Sequence, residues 1–111
     1  MNIELRQLRY FVAVSEEMHF GRAAARLHMT QPPLSQTIMA LEAGLGTALF
    51  VRTKRSVALT PAGAALLPEA RRILHQAEAL PELARRAACG ASGRLTLAFV
   101  STADYNVLPA F

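Results

Sequence analysis

Between Phe20 and Leu49 the chain reads FGRAAARLHMTQPPLSQTIMALEAGLGTAL, two apolar-periodic stretches split by a short polar break, and no other segment constrains the fold as tightly. The first stretch predicts a helix from Phe20 to His28 that buries Phe20, Ala23, Ala24 and Leu27, with alanines small enough to let another helix come close. Thr30 is placed to cap the next helix, Gln31-Pro32 opens it with proline in the tolerant first turn, and Gly44 or Gly46 ends it. Leu34, Ile38, Leu41 and Leu45 step by four, three and four, so that face must be buried and Pro32, Gln36, Met39 and Ala43 point away from it. Two short helices joined by a tight turn, the second with an amide-bearing tip, can place side chains in a DNA major groove. Gln31 and Ser35 flank that tip, where an amide can bond an adenine edge at two points and a hydroxyl can reach a base or a phosphate. On spacing alone the same two residues could simply solvate a surface helix.

The flanking segments supply the rest of a small helical domain. Leu5, Leu8, Phe11, Val12 and Ser15 recur at helical spacing, with Arg6, Arg9 and Glu16 opposite, and predict a core helix over 4–17. Ala48 to Val51 and Ser56 to Leu59 are β-prone runs separated by Arg52, Thr53, Lys54 and Arg55, the pattern of a hairpin with a cationic tip. Such a tip beside a groove-reading helix would neutralise phosphates; in isolation it is an ordinary solvated turn. Thr60-Pro61 repeats the cap-plus-proline start. The helix it opens, 61–89, carries Leu66, Ala70, Ile73, Ala77, Leu80, Ala84 and Ala87 at alternating fours and threes, a coiled-coil-like seam that needs a partner. A second chain is the favoured partner, and packing back onto the first helix is the alternative. Pro68 and Pro81 should bend this helix without ending it.

Gly90, Ala91, Ser92 and Gly93 read as a hinge. Beyond them LTLAFV, Leu95 to Val100, is the uninterrupted apolar run of a strand covered on both faces in a parallel sheet. One strand cannot bury itself, so residues 90–111 are expected to be the truncated start of an α/β domain. The expected organisation is therefore mainly α: a DNA-binding domain over 1–60, a dimerisation helix over 61–89 and the beginning of a further domain.

Bulk composition permits this reading without demanding it. The 111 residues carry a formal net charge of +4 and a sequence pI near 10.2, which suit a polyanionic partner. A single Cys89 leaves no internal disulfide available, and no apolar run is long enough to cross a bilayer. A soluble cytoplasmic protein is expected, without metal or cofactor. His19, His28 and His75 lack partners that would suggest a nucleophile-base pair, and there is no glycine-rich phosphate cradle, so catalysis is not expected.

From Leu5 to Leu74 the chain resembles the DNA-binding region of the LysR-type transcriptional regulators. The likeness rests on LRYFVAV, FGRAAARLHMTQPPLSQTI, LEAGLGTALFVR and LTPAG, in the usual order and spacing. The resemblance implies a winged helix-turn-helix, a linker helix pairing two subunits, and a downstream effector-binding domain of two α/β halves. It also implies homodimers that assemble into tetramers on promoter DNA under the control of a small metabolite, with RNA polymerase as a further partner. Position by position, it makes Gln31, Pro32 and Ser35 groove-facing residues, Arg52 and Arg55 wing contacts, and Arg22 and Thr30 phosphate contacts. Gln36 stands where several members carry arginine, and His19 where a serine cap is common. Ser101 and Thr102 match the first effector-contacting hydroxyls, whose site needs the rest of that domain. Two other readings stay open on the residues themselves: a complete small basic DNA-binding protein without an effector domain, and a helical protein-interaction module.

Overall fold

The computed structural model describes residues 2–92, and the expected strand at Leu95 to Val100, with Ser101 and Thr102, lies outside them. Its elements in order are α1 (Leu5–Glu17), α2 (Phe20–Arg26), α3 (Gln31–Leu45), β1 (Phe50–Arg52), β2 (Val57–Leu59) and α4 (Pro61–Ser92). The architecture is the winged helix-turn-helix followed by a long helix that the sequence predicts. Chain packing divides it into two units, Met1–His75 and Gln76–Phe111.

Within the first unit α1, α2 and α3 pack on one another around an apolar centre, and Phe11, Leu34, Ile38, Leu41, Leu49 and Val14 are its largest fully buried side chains. Each such side chain contributes about 1.5–3 kcal/mol by leaving water. On α1 the predicted stripe holds for Leu8, Phe11, Val12 and Ser15, whereas Leu5 in the first turn stays 43% exposed. The helix is covered over a broader arc towards its other end, where every residue from Phe11 to Ser15 is buried. Ser15 is tolerated there because its hydroxyl donates to the Phe11 carbonyl at 2.7 Å.

Helix α2 ends at Arg26, two residues before the expected His28. The backbone at His28 has turned left-handed (φ 59°), and Met29 N–H returns to the Ala24 carbonyl at 2.9 Å. Leu27 therefore caps the helix, half-buried against the core. Gly46, not Gly44, ends α3, with φ 75° and its N–H on the Glu42 carbonyl at 2.9 Å.

The hairpin is antiparallel, pairing Phe50 with Leu59, Val51 with Ala58 and Arg52 with Val57. It starts later than the sequence suggests, because the backbone before Phe50 is engaged elsewhere. Ala48 accepts the Thr60 hydroxyl at 2.7 Å, and Leu49 N–H goes to the Glu42 carboxylate at 2.7 Å. Arg52 thus belongs to β1 and not to the tip. Phe50 anchors the hairpin in the core, its ring 5.5 Å from Phe11 and 5.9 Å from Phe20, the latter edge-on.

Helix α4 begins where Thr60 Oγ1 accepts from Gly63 N–H at 3.1 Å. A side chain at position 63 would overlap the Leu49 carbonyl oxygen and come within 2.8 Å of Leu59 Cδ2, so this crossing of helix and strand requires glycine. The seam expected along α4 divides. Ala70 is fully buried in the core of the first unit, with Leu66 and Leu67 packed against it, so Ala70 has no face left for a second chain. Leu74 takes the next buried position and Ile73 is 43% exposed, because a helix packing on a globular surface follows a 3.6-residue period, not 3.5. In the second unit Ala77 is half-buried, while Leu80, Ala84 and Ala87 are exposed. The helix continues through Pro68 and Pro81 and through Gly90 to Ser92, where a hinge was expected. A helical glycine costs only about 1 kcal/mol against alanine, which the adjoining alanine-rich run tolerates.

Candidate nucleic-acid interface

The tip of α3 is built by an unusual cap. Thr30 occupies the N-cap position with extended backbone, yet its hydroxyl makes no capping hydrogen bond. The reason is chemical: an N-cap oxygen accepts from the second or third helical N–H, and here those residues are Pro32 and Pro33, which have none. The Thr30 hydroxyl is therefore not spent on its own helix. Leu34, Ile38 and Leu41 hold the opposite face of α3 in the core, leaving Pro32, Gln36, Met39 and Ala43 exposed as the spacing requires. Thr37 is turned back onto the Pro33 carbonyl at 2.9 Å.

Gln31 and Ser35 line a cleft of about 320 Å³ whose other wall is the hairpin, with His19 from the N-cap of α2 and Arg52, Lys54 and Arg55 from the wing. Six residues singled out from the sequence thus converge on one concavity, although Gln31 and Arg55 come from separate elements. Pro32 and Gln36 lie outside its lining, on the exposed face of the same helix. The tip of the wing is ordered by Thr53, whose Oγ1 accepts from Ser56 N–H at 3.0 Å and whose own N–H donates to the Ser56 carbonyl at 2.9 Å. This turn holds Lys54 and Arg55 outward. Among the described residues neither has a carboxylate within 4 Å, so both charges are available to an anion.

Arg22 and Arg52 are held differently. The Arg22 guanidinium donates to the Glu17 carbonyl at 3.0 Å and lies 3.7 Å from its carboxylate, while remaining 62% exposed. The Arg52 guanidinium lies 4.3 Å above the Phe20 ring and 3.8 Å from the Glu42 carboxylate. His19 caps α2, its Nδ1 accepting from Arg22 N–H at 2.9 Å. This cap needs room: a Cβ at Gly21 would lie 2.8 Å from His19 Cε1.

Behind the cleft, Glu16 on α1 gathers Arg26 from α2 at 2.7 Å and Arg71 from α4 at 3.0 Å. The hydrogen bond from Arg26, with Arg71 adding to it against a burial cost, holds the Glu16 carboxyl below the ordinary carboxylate range, and Arg26 is correspondingly raised. This triad links α1, α2 and α4. Sequence reading missed Glu42, which could have been found: a glutamate beside a buried stripe, with Ile38, Met39, Leu45 and Gly46 at its helical neighbours, has no cation on its own helix and must seek a partner elsewhere.

The model of the bacterial regulatory helix-turn-helix proteins of the lysR family matches residues 5–64, which include the helices, the turn and the wing that form this cleft. The chain belongs to the LysR family. Among LysR-type relatives, it is 57% identical to the HTH-type transcriptional regulator IlvR of Caulobacter vibrioides over 96% of its length and 36% of that protein's. It is 53% identical to the HTH-type transcriptional regulator AlsR of Bacillus subtilis, over 96% of this chain and 35% of that one. The chain thus spans about a third of the length of these curated relatives. A solved structure of the CbnR DNA-binding domain in complex with DNA superimposes with a TM-score of 0.75 at 48% identity, covering 78% of this chain and 99% of that one. Among the described residues no helix is long and apolar enough to cross a membrane, and no group of three or more potential ligands gathers for a metal ion.

Proposed function

We propose that this chain is the operator-reading end of a LysR-type transcriptional regulator, which lays α3 in the major groove of promoter DNA and rests its wing on the adjoining backbone. The observation that carries this reading is the cleft that brings Gln31 and Ser35 opposite the unpaired cations Lys54 and Arg55. Gln31 and Ser35 read base edges, Pro32 and Gln36 face the groove beside them, and Thr30 and Arg22 contact phosphates. The uncommitted Thr30 hydroxyl supports that assignment, as does the DNA bound to the similar CbnR domain. The role is recognition without catalysis, and it places the protein in the cytoplasm with the chromosome.

The helix over 61–89 pairs two copies, so that two recognition helices meet a partly palindromic site. Exposed Leu80 and Leu83, 58% and 55% accessible, support a further partner for that segment. The length of the relatives supports a larger regulator in which residues 90–111 open an effector-binding domain, with Ser101 and Thr102 at its ligand site. Tetramers, a small-molecule effector and contact with RNA polymerase belong to that full-length protein.

The test is binding to the DNA upstream of the protein's own gene against a scrambled duplex, over a salt series. Specific recognition gives a preference of about a thousandfold or more. Gln31→Ala should remove about 1–3 kcal/mol of that discrimination. Equal affinity for both duplexes in the unaltered protein would reduce the reading to nonspecific coating.

A further inference from the structure

The wing is joined to the helix-turn-helix by side chains that the DNA-reading scheme leaves unexplained. Glu42, on the inner flank of α3, is 16% exposed, and its Oε2 accepts the backbone N–H groups of Leu49 at 2.7 Å and Phe50 at 3.2 Å. Leu49 immediately precedes β1 and Phe50 opens it. Two positions further on, Arg52 lies with Nη2 3.8 Å from the other Glu42 oxygen and its guanidinium 4.3 Å above the Phe20 ring of α2. The Phe20 ring in turn meets Phe50 edge-on. These contacts form a closed circuit from α3 to the base of the wing, along β1, onto α2 and back to Phe50.

We propose that Glu42 and Arg52 are positioning residues that set the stance of the wing relative to α3, with the Arg52 charge committed to Glu42 and Phe20 instead of a phosphate. The proposal rests on the DNA-binding reading above and assigns Lys54 and Arg55 as the wing cations that meet the backbone. Its chemistry is direct. A charged carboxylate receiving two N–H groups forms stronger hydrogen bonds than a neutral acceptor, and a cation over an aromatic face with an anion beside it has little reason to turn outward. A hairpin with only three paired positions has few contacts of its own to hold its angle. The distance between Lys54, Arg55 and the tip of α3 is thereby set by Glu42 at the base of the wing and by Arg52 in the wall of the cleft.

Two measurements on the protein test this separately. Amide hydrogen exchange, which needs no DNA, should speed up at least tenfold at Leu49 and Phe50 in Glu42→Ala, while Glu42→Gln, which keeps an acceptor oxygen, stays within threefold of the unaltered protein and α1 amides are unchanged in both. Unaltered exchange at Leu49 and Phe50 in Glu42→Ala would overturn the role of Glu42. In DNA binding, Arg55→Ala should flatten the plot of log affinity against log salt by about 0.9, one phosphate contact, whereas Arg52→Gln leaves the slope unchanged but lowers affinity. The loss caused by Arg55→Ala should also shrink at least threefold when Arg52→Gln or Glu42→Ala is already present, a dependence that general destabilisation would not produce. A slope flattened equally by Arg52→Gln and Arg55→Ala would make Arg52 a phosphate contact and overturn its positioning role. If the unaltered protein showed no DNA binding, the functional reading would fail while the exchange measurement still decided the role of Glu42.

Discussion

The first unit and the second part of α4 are drawn from similar helical patterns and end differently. In Met1–His75 nearly every apolar stripe finds a facing surface: Leu34, Ile38 and Leu41 are fully buried, and Ala70 and Leu74 close the same core. In Gln76–Gly90 every residue but Ala77 is exposed, including Leu80 and Leu83. The difference teaches that a periodic apolar stripe states a need for burial without naming the surface that meets it. Along α4 the need is met within the unit as far as Leu74, and beyond it the stripe stays open for the pairing proposed above.

Four substitutions would break or sharpen that contrast. Leu41→Ala, at a site with no exposure in the first unit, should lower the stability of unfolding by about 2–5 kcal/mol, measured by denaturant titration. A loss under about 1 kcal/mol would mean that α3 is not the centre of the core. Gly63→Ala should cost about 1–3 kcal/mol, because its methyl group must push apart the helix and the Leu49 backbone. Thermal unfolding reads this directly, and an unchanged midpoint would show that the crossing is loose.

Glu16→Gln tests the triad that joins α1, α2 and α4, and screening at this partly exposed site keeps its effect below about 1 kcal/mol. The sign follows from the lowered carboxyl: the folded state favours the ionised form, so the contribution is fully present above the ordinary carboxylate range and disappears as pH falls through the depressed folded value. The stability difference between Glu16→Gln and the unaltered protein should therefore narrow on acidification, and a gap that widens in acid would assign the effect to packing. Leu80→Asp, on the exposed stripe, should change unfolding stability by no more than about 0.5 kcal/mol while weakening self-association in sedimentation. A dimer that survives this change would pair through another surface.

Much of the candidate site was legible because its signals are local. Pro32, Gln36, Met39 and Ala43 follow from the helical period once Leu34, Ile38 and Leu41 are taken as core. The idle hydroxyl of Thr30 was equally present in the text Thr-Gln-Pro-Pro, since two prolines remove the donors a cap requires. Arg52 was not legible in the same way. Arg52, Lys54 and Arg55 look alike as a cationic run, and only the Phe20 ring and the Glu42 carboxylate separate the first from the other two. His19 likewise reads as a departure from serine until its Nδ1 is found on Arg22 N–H, with Gly21 leaving the space.

By itself the sequence determined the helices, the turn and the hairpin, because helical period, cap chemistry and strand preference act between residues a few positions apart. Only the tertiary structure decided that Leu74 and not Ile73 enters the core, that Glu42 grips the base of the wing, and that Arg52 lies over the Phe20 ring. Those outcomes depend on which surfaces meet across long separations in the chain, where a shift of one residue or a few ångströms changes the partner that a side chain can reach.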